Sequence, residues 1–168
     1  MSDTPSDSSL PTEGSARTPG LSLKGRALRL LSQREHTQQE LARKLAPHAQ
    51  SPEQLQQLIG ELMQAGWLSH ERYIESVIHR RAAKLGASRL RQELQGKGIS
   101  GGEMAEALEQ LRHTEEQRAR AVWTRRFGNP PVDARDHARQ LRFLMSRGFS
   151  TDVIRRVLRA SDVHEASD

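Results

Sequence analysis

The chain has 168 residues, 35% of them hydrophobic and only 4% aromatic, which argues against one large globular core and for several thin helical layers. It contains no cysteine, so disulfides and cysteine-based zinc sites are excluded. The net charge of +5 fits a polyanionic or acidic partner as readily as a soluble, arginine-rich surface.

Residues 1–22 carry Asp3, Asp7 and Glu13 against Arg17 alone, and thirteen of the first twenty residues are Ser, Thr, Pro or Gly. Such a stretch buries nothing, and a disordered tail is expected there. It is too polar and acidic for a signal peptide, and no apolar run approaches the roughly 18 residues that span a bilayer. A cytoplasmic chain is expected.

Order is expected to begin near Leu21 to Lys24, and from there every segment reads as helix. Ala27, Leu28, Leu30 and Leu31 start the first. Thr37-Gln38-Gln39-Glu40 has the form of a capping box, in which hydroxyl and carboxylate each satisfy an orphan backbone donor. Leu41 and Leu45 continue that helix up to Pro47. Ser51-Pro52-Glu53-Gln54 is a second box, with proline at the first helical position. Leu55, Leu58, Ile59 and Leu62 follow, up to Gly66.

Tyr73, Ile74, Val77, Ile78 and Leu85 then form an apolar stripe at helical spacing, and Gly86 is expected to stop it in the left-handed conformation. Leu90 and Leu94 make a shorter stripe that stops at Gly98, with Ile99 folding back. Ser100-Gly101-Gly102-Glu103 and Thr114-Glu115-Glu116-Gln117 read as two more boxes. Asp133 or Asp136 caps a helix carrying Ala138, Leu141, Leu144 and Met145. A last helix carries Val153, Ile154, Val157 and Leu158. About nine helices result, and no segment alternates with period two, so no strand is expected.

The chain repeats itself. Residues 94–108, LQGKGISGGEMAEAL, match residues 144–158, LMSRGFSTDVIRRVL, at an offset of 50. Leu94, Lys97, Gly98, Ile99 and Ser100 meet Leu144, Arg147, Gly148, Phe149 and Ser150. Leu62 through Gly66-Trp67 is a fainter copy. The fold expected is therefore all-α: an elongated tandem array of three three-helix modules at 23–68, 69–113 and 114–160, followed by an acidic tail at 161–168. Gly98 and Gly148 are expected at positive φ.

No chemistry emerges from these patterns. The seven histidines are scattered without an HExxH pair, and no strand-turn-helix elbow presents a serine, so an enzyme, a metal and a cofactor are not expected. A helix-turn-helix DNA regulator is the rival reading, since TQQELARKL resembles the first helix of such a unit. The reader helix would then fall in residues 46–66, which contain no Lys or Arg and do contain Glu53 and Glu61.

Basic residues concentrate in the last module, with 11 against 5 acids, compared with 6 against 4 and 8 against 6 in the first two. Arg118, Arg125, Arg139, Arg142, Arg155, Arg156 and Arg159 are the candidates for partner or DNA contact, weighed against a merely solvated face. Arg81 and Arg126 fall on apolar stripes and are read as structural ion pairs, Arg81 with Glu93 or Glu71. Trp67 and Trp123 are read as core rather than as base-stacking platforms.

From about residue 24 to 159 the chain resembles the RecX regulators of the RecA recombinase. In the middle module the resemblance lies in the acidic and aromatic residues of GWLSHERYIE, in Ile78, Arg81 and Gly86, and in Arg89 through Leu94 closing on Lys97-Gly98-Ile99. In the last it lies in Ala121, Arg126, Phe127, Phe143-Leu144 and Arg147-Gly148-Phe149-Ser150. Val77, where the family often has an aromatic, and Ala87, where a proline is common, depart from the pattern at positions of packing and helix entry. The resemblance implies tandem three-helix repeats that lodge in the groove of the RecA filament on single-stranded DNA. It implies inhibition of ATPase, strand exchange and co-protease activity by a non-enzymatic protein active in recombination and the SOS response. A monomer with RecA as partner is expected, with weak binding to single- or double-stranded DNA a secondary expectation. A non-specific single-strand binder is the second alternative.

Overall fold

The structure is a computed structural model that describes residues 20–164, with side chains to residue 159. The tail expected over residues 1–22 lies outside the described residues as far as residue 19, and so do the side chains of the acidic tail at 161–168. Among the described residues there are nine α-helices and no strand. No helix among them is long and apolar enough to cross a membrane.

The first three helices are α1 (Leu23–Gln33), α2 (Gln38–Leu45) and α3 (Pro52–Gln64). The cap hydroxyls sit where the local sequence puts them: Thr37 accepts from the Glu40 N–H at 3.1 Å and Ser51 from the Gln54 N–H at 3.2 Å. A 3-10 turn at Ala46–His48, carrying Pro47, separates α2 from α3. Ala27, Leu41, Leu45, Leu58, Ile59, Leu62 and Leu68 close around one core.

The second unit is α4 (His70–Arg81), α5 (Ala87–Gly96) and α6 (Gly102–Gln110). Its core runs from Tyr73 and Ile74 through Leu90 and Leu94 to Met104 and Leu108. A 3-10 turn, Leu111–Thr114, leads into the third unit: α7 (Glu115–Arg126), α8 (Ala134–Ser146) and α9 (Thr151–His164). There Ala119, Trp123, Leu144, Phe149, Ile154 and Val157 form the core. Inside it the Trp123 Nε1–H donates to Gln140 Oε1 at 2.6 Å, which satisfies the indole away from water. Asp133, not Asp136, caps α8, accepting from the Asp136 N–H at 2.7 Å.

Three helices stop in the same way. The Ile99 N–H donates to the Leu94 carbonyl and the Gly98 N–H to that of Gln95, both at 3.0 Å. Phe149 and Gly148 repeat the pair onto Leu144 and Met145, and Trp67 and Gly66 onto Leu62 and Met63. These are Schellman endings, and Gly66, Gly98 and Gly148 adopt φ of 73°, 78° and 85°. Gly98 and Gly148 lie between the second and third helices of their units. Gly66 lies between two units, so its likeness to them is that of a helix ending and not of a repeat position.

Several local expectations are corrected. Gly86 has φ −79° and begins α5; α4 has already ended at Arg81. Ser100 does not cap α6, because that helix starts one residue later, behind Gly101 at φ 103°. Its counterpart Ser150 does accept from the Val153 N–H, at 3.4 Å. Thr114 does not form a box either. The 3-10 turn runs directly into α7, and the Thr114 hydroxyl donates back to the Leu111 carbonyl. Trp67 is 57% exposed rather than core.

The helix pairs that pack most fully lie within one unit; between units, Arg72 of α4 pairs with Glu35 of the first unit at 2.8 Å, and two seams of close approach involve glycines. At the first, Gly98 faces the side chain of Gln39 at the start of α2. At the second, Gly148 faces Gly86 and Arg89 at the start of α5.

Candidate docking face at the second seam

The second seam is built from backbone. The Gly86 N–H donates to the Arg147 carbonyl at 2.8 Å, and the Ser88 N–H to the Gly148 carbonyl at 3.3 Å. Arg118 locks the other side. Its guanidinium donates to the carbonyls of Ala82 at 2.8 Å and Leu85 at 2.7 Å, and to that of Leu111 at 3.1 Å. Its Nε–H reaches the Thr114 hydroxyl at 3.2 Å. These carbonyls belong to the turn after α4 and the 3-10 turn before α7, and the Thr114 hydroxyl shares that of Leu111. Burial lowers the Arg118 pKa, opposed in part by the charge of Glu115. Arg118 was read as an outward cation; its donors are turned inward onto the seam.

The other candidates divide by partner. Arg139 pairs with Asp136 at 2.6 Å and lies over the Phe127 ring at 5.4 Å. Arg155 reaches Asp152 at 3.7 Å. Arg156 donates to Glu116 at 2.7 Å and, as the leading cause, holds that carboxyl below its ordinary pKa. Acids therefore reach the basic residues of α9, Asp152 from the same helix and Glu116 from α7. Arg125, Arg142 and Arg159 are exposed, with no carboxylate in ion-pair reach among the described residues.

Arg81 donates to Glu93 at 2.6 Å, but its side chain is 52% exposed, so the pair sits at the surface. Arg126 has no such pair among the described residues. It is exposed, and its guanidinium lies 6.0 Å from the centre of the Phe127 ring.

Because Gly86 and Gly148 touch, the cations flanking them converge. Lys84 and Arg147 join Arg125 and Arg126 around a cavity of about 370 Å³, whose apolar lining is Ala83, Ala121, Val122 and Phe143. Sequence reasoning did not select Lys84 or Arg147 as binding residues. The available signal was their place, one or two residues before a glycine at a helix boundary. Among the described residues no group of His, Asp or Glu is placed to hold a metal ion. The arrangement can attract and orient an anion; it has no nucleophile paired with a base.

Comparison with known proteins agrees with this architecture. Family profiles match in chain order: the RecX first three-helix domain over residues 24–62, the second over 69–108 and the third over 114–158. The regulatory protein RecX of Leptothrix cholodnii is 58% identical over 147 residues, 88% of this chain and 93% of that protein. That of Ralstonia nicotianae is 48% identical over 142 residues, 84% and 89% of the two chains. The crystal structure of RecX from Lactobacillus salivarius superposes with a TM-score of 0.70 at 20% identity, covering 84% of this chain and 95% of that one, a likeness of fold. With three domains matched in order and relatives this similar over most of its length, the chain belongs to the RecX family of regulatory proteins.

Proposed function

We propose that this protein binds the RecA recombinase filament and restrains its ATPase, strand-exchange and co-protease activities, as a non-catalytic regulator of recombination and the SOS response. The observation that carries this reading is the ordered match of all three modules to the RecX three-helix domains. The basic third module supports it electrostatically. Arg125, Arg142 and Arg159 have no acid in ion-pair reach among the described residues and would face acidic protein surface or filament DNA. Arg139, Arg155 and Arg156 belong to the same face, because exposed ion pairs are weak and exchange readily for a partner's charge. Weak binding to DNA follows from the same cations. The protein acts in the cytoplasm as a monomer, without cofactor or membrane. A helix-turn-helix reader is disfavoured because α3 carries no Lys or Arg.

Co-sedimentation with preformed RecA filament, against the same single-stranded DNA without RecA at matched salt, tests the reading. Pelleting with the filament and not with naked DNA is expected. Equal pelleting with both would replace it by a non-specific single-strand binder.

A further inference from the structure

The filament reading uses only Arg125 of the cations around the cavity at the second seam. Four cations surround it: Lys84 from the turn after α4, Arg125 and Arg126 from α7, and Arg147 from the end of α8. All four are exposed, and none has a carboxylate in ion-pair reach among the described residues. Elsewhere in the third module Arg139, Arg155 and Arg156 each have one. Like charges held together around one concavity repel, and an anionic occupant would relieve that repulsion.

The apolar part of the lining is Ala83, Ala121, Val122 and Phe143. The Phe143 ring is already engaged: Arg147 lies over it at 5.2 Å, and Phe127 meets it edge to face at 5.3 Å. It therefore offers an apolar wall and not an open face on which a base could stack. The cations also converge on one cavity, whereas a nucleic-acid strand needs contacts spread along its phosphates. A cavity of about 370 Å³ takes one large side chain with its flanking backbone.

We infer that the cavity between α7, α8 and the α4–α5 turn is a docking site for an acidic peptide segment that carries one large apolar side chain. The apolar group seats on Val122 and Phe143. Carboxylates on either side meet Arg125, Arg126, Arg147 and Lys84, the arginines being suited to paired contacts with a carboxylate. The inference shares Arg125 with the filament reading, but its test uses a peptide and no filament, so either can fail without the other.

Fluorescence anisotropy on the full chain tests it, with a labelled peptide of two acidic residues on each side of a central phenylalanine. The parent should bind this peptide, and the same peptide with central alanine should bind at least about fivefold more weakly, through loss of the buried ring. The double reversal Lys84→Glu with Arg125→Glu should weaken binding more than about tenfold. Reversal of Arg29 and Arg43, both exposed on the first module, should not change it. Circular dichroism melting checks that each variant folds. The inference is overturned if the parent does not bind, if the alanine peptide binds equally, or if reversing Arg29 and Arg43 weakens binding as much. It is also overturned if oligothymidylate displaces the peptide at lower concentration than unlabelled peptide does, which would make the cavity a phosphate site.

Discussion

Gly86 and Gly148 approach so closely that a Cβ on Gly86 would lie 2.2 Å from the Gly148 carbonyl oxygen. Gly86 itself has an ordinary φ of −79°, so the requirement there is one of space. Gly86→Ala must push two backbones apart, and the loss expected is about 1–3 kcal/mol, the usual range for overpacking. Gly60, within α3 and with nothing within 4 Å of its would-be Cβ, is the contrast. Gly60→Ala should stabilise by about 0.5–1 kcal/mol through helix propensity. Urea midpoints that fell equally, or not at all, would show that the seam is not formed as described.

Arg118 makes a second prediction. Removing its guanidinium takes the donor from the carbonyls of Ala82 and Leu85 in a part-buried site, while that of Leu111 keeps the Thr114 hydroxyl. Arg118→Ala should cost about 2–3 kcal/mol, in the range for hydrogen bonds from a charged group. Arg118→Lys should recover little, because an ammonium cannot span several carbonyls as the planar fork does. Arg125→Ala, at an exposed position, should stay within about 0.5 kcal/mol of the parent. Thermal melting of the three variants separates these outcomes.

Acid should unfold the first module in two steps of different origin. His36 is buried between α1 and α2, with Nδ1 2.9 Å from the Arg34 carbonyl and Nε2 3.2 Å from the Lys44 ammonium. Nδ1–H donates to that carbonyl and Nε2 accepts from Lys44, so the ring is neutral. Burial is the main cause lowering its pKa. The unfolded chain then binds the proton more readily, and stability present above the ordinary histidine pKa of 6.5 falls as pH drops below it.

Glu40 acts lower on the scale. Its hydrogen bonds from Arg34, together with the charges of Arg34, His36 and Lys44, outweigh desolvation and lower its pKa from 4.5 to about 2. Its stabilisation is complete above the unfolded value and is lost as pH falls from 4.5 towards 2. Arg34 is 44% exposed, so solvent screening reduces the contribution to roughly 1–2 kcal/mol. Glu40→Gln should flatten the stability profile in that window and lower the His36 pKa further, since the Glu40 charge opposes its depression. A profile unchanged by Glu40→Gln would remove the ion pair from the account.

The proposed docking face predicts a functional split. Reversing Arg142 and Arg159 to Glu should leave the melting temperature nearly unchanged, since both are exposed and unpaired among the described residues. Inhibition of RecA ATPase should weaken, and weaken further as salt screens the remaining attraction. Arg29 and Arg43 form the control pair, because Arg34 and Lys44 are occupied by Glu40 and His36. If the control pair abolishes inhibition and the Arg142 and Arg159 reversal does not, docking uses the first module.

The helices and many of their ends were legible because they rest on contacts within a few residues. Leu94, Gly98 and Ile99 carry a complete helix ending in six positions, and Thr37 reaches Glu40 within one turn. What was not legible depends on residues far apart in the chain. The glycine at position 86 is explained by residue 148, and the inward turn of Arg118 by carbonyls 33 and 36 residues away. Glu116 meets Arg156 across 40 residues, so no reading of the last helix alone could find it. Ser100 and Ser150 occupy matching places, yet only Ser150 caps. The glycine pair after Ser100 lets α6 begin one residue later.

The two seams differ in what opposes each glycine, and that difference has a mechanical consequence. The atoms nearest a Cβ on Gly98 would be those of the Gln39 amide, the far end of a side chain. At Gly148 the obstacle is the main chain of Arg89, held further by hydrogen bonds from Gly86 and Ser88. The first joint is therefore bridged by side chains, Gln39 beside Gly98 and Arg72 with Glu35 at 2.8 Å, whereas the second is main chain against main chain and holds the turn that carries Lys84 against the end of α8.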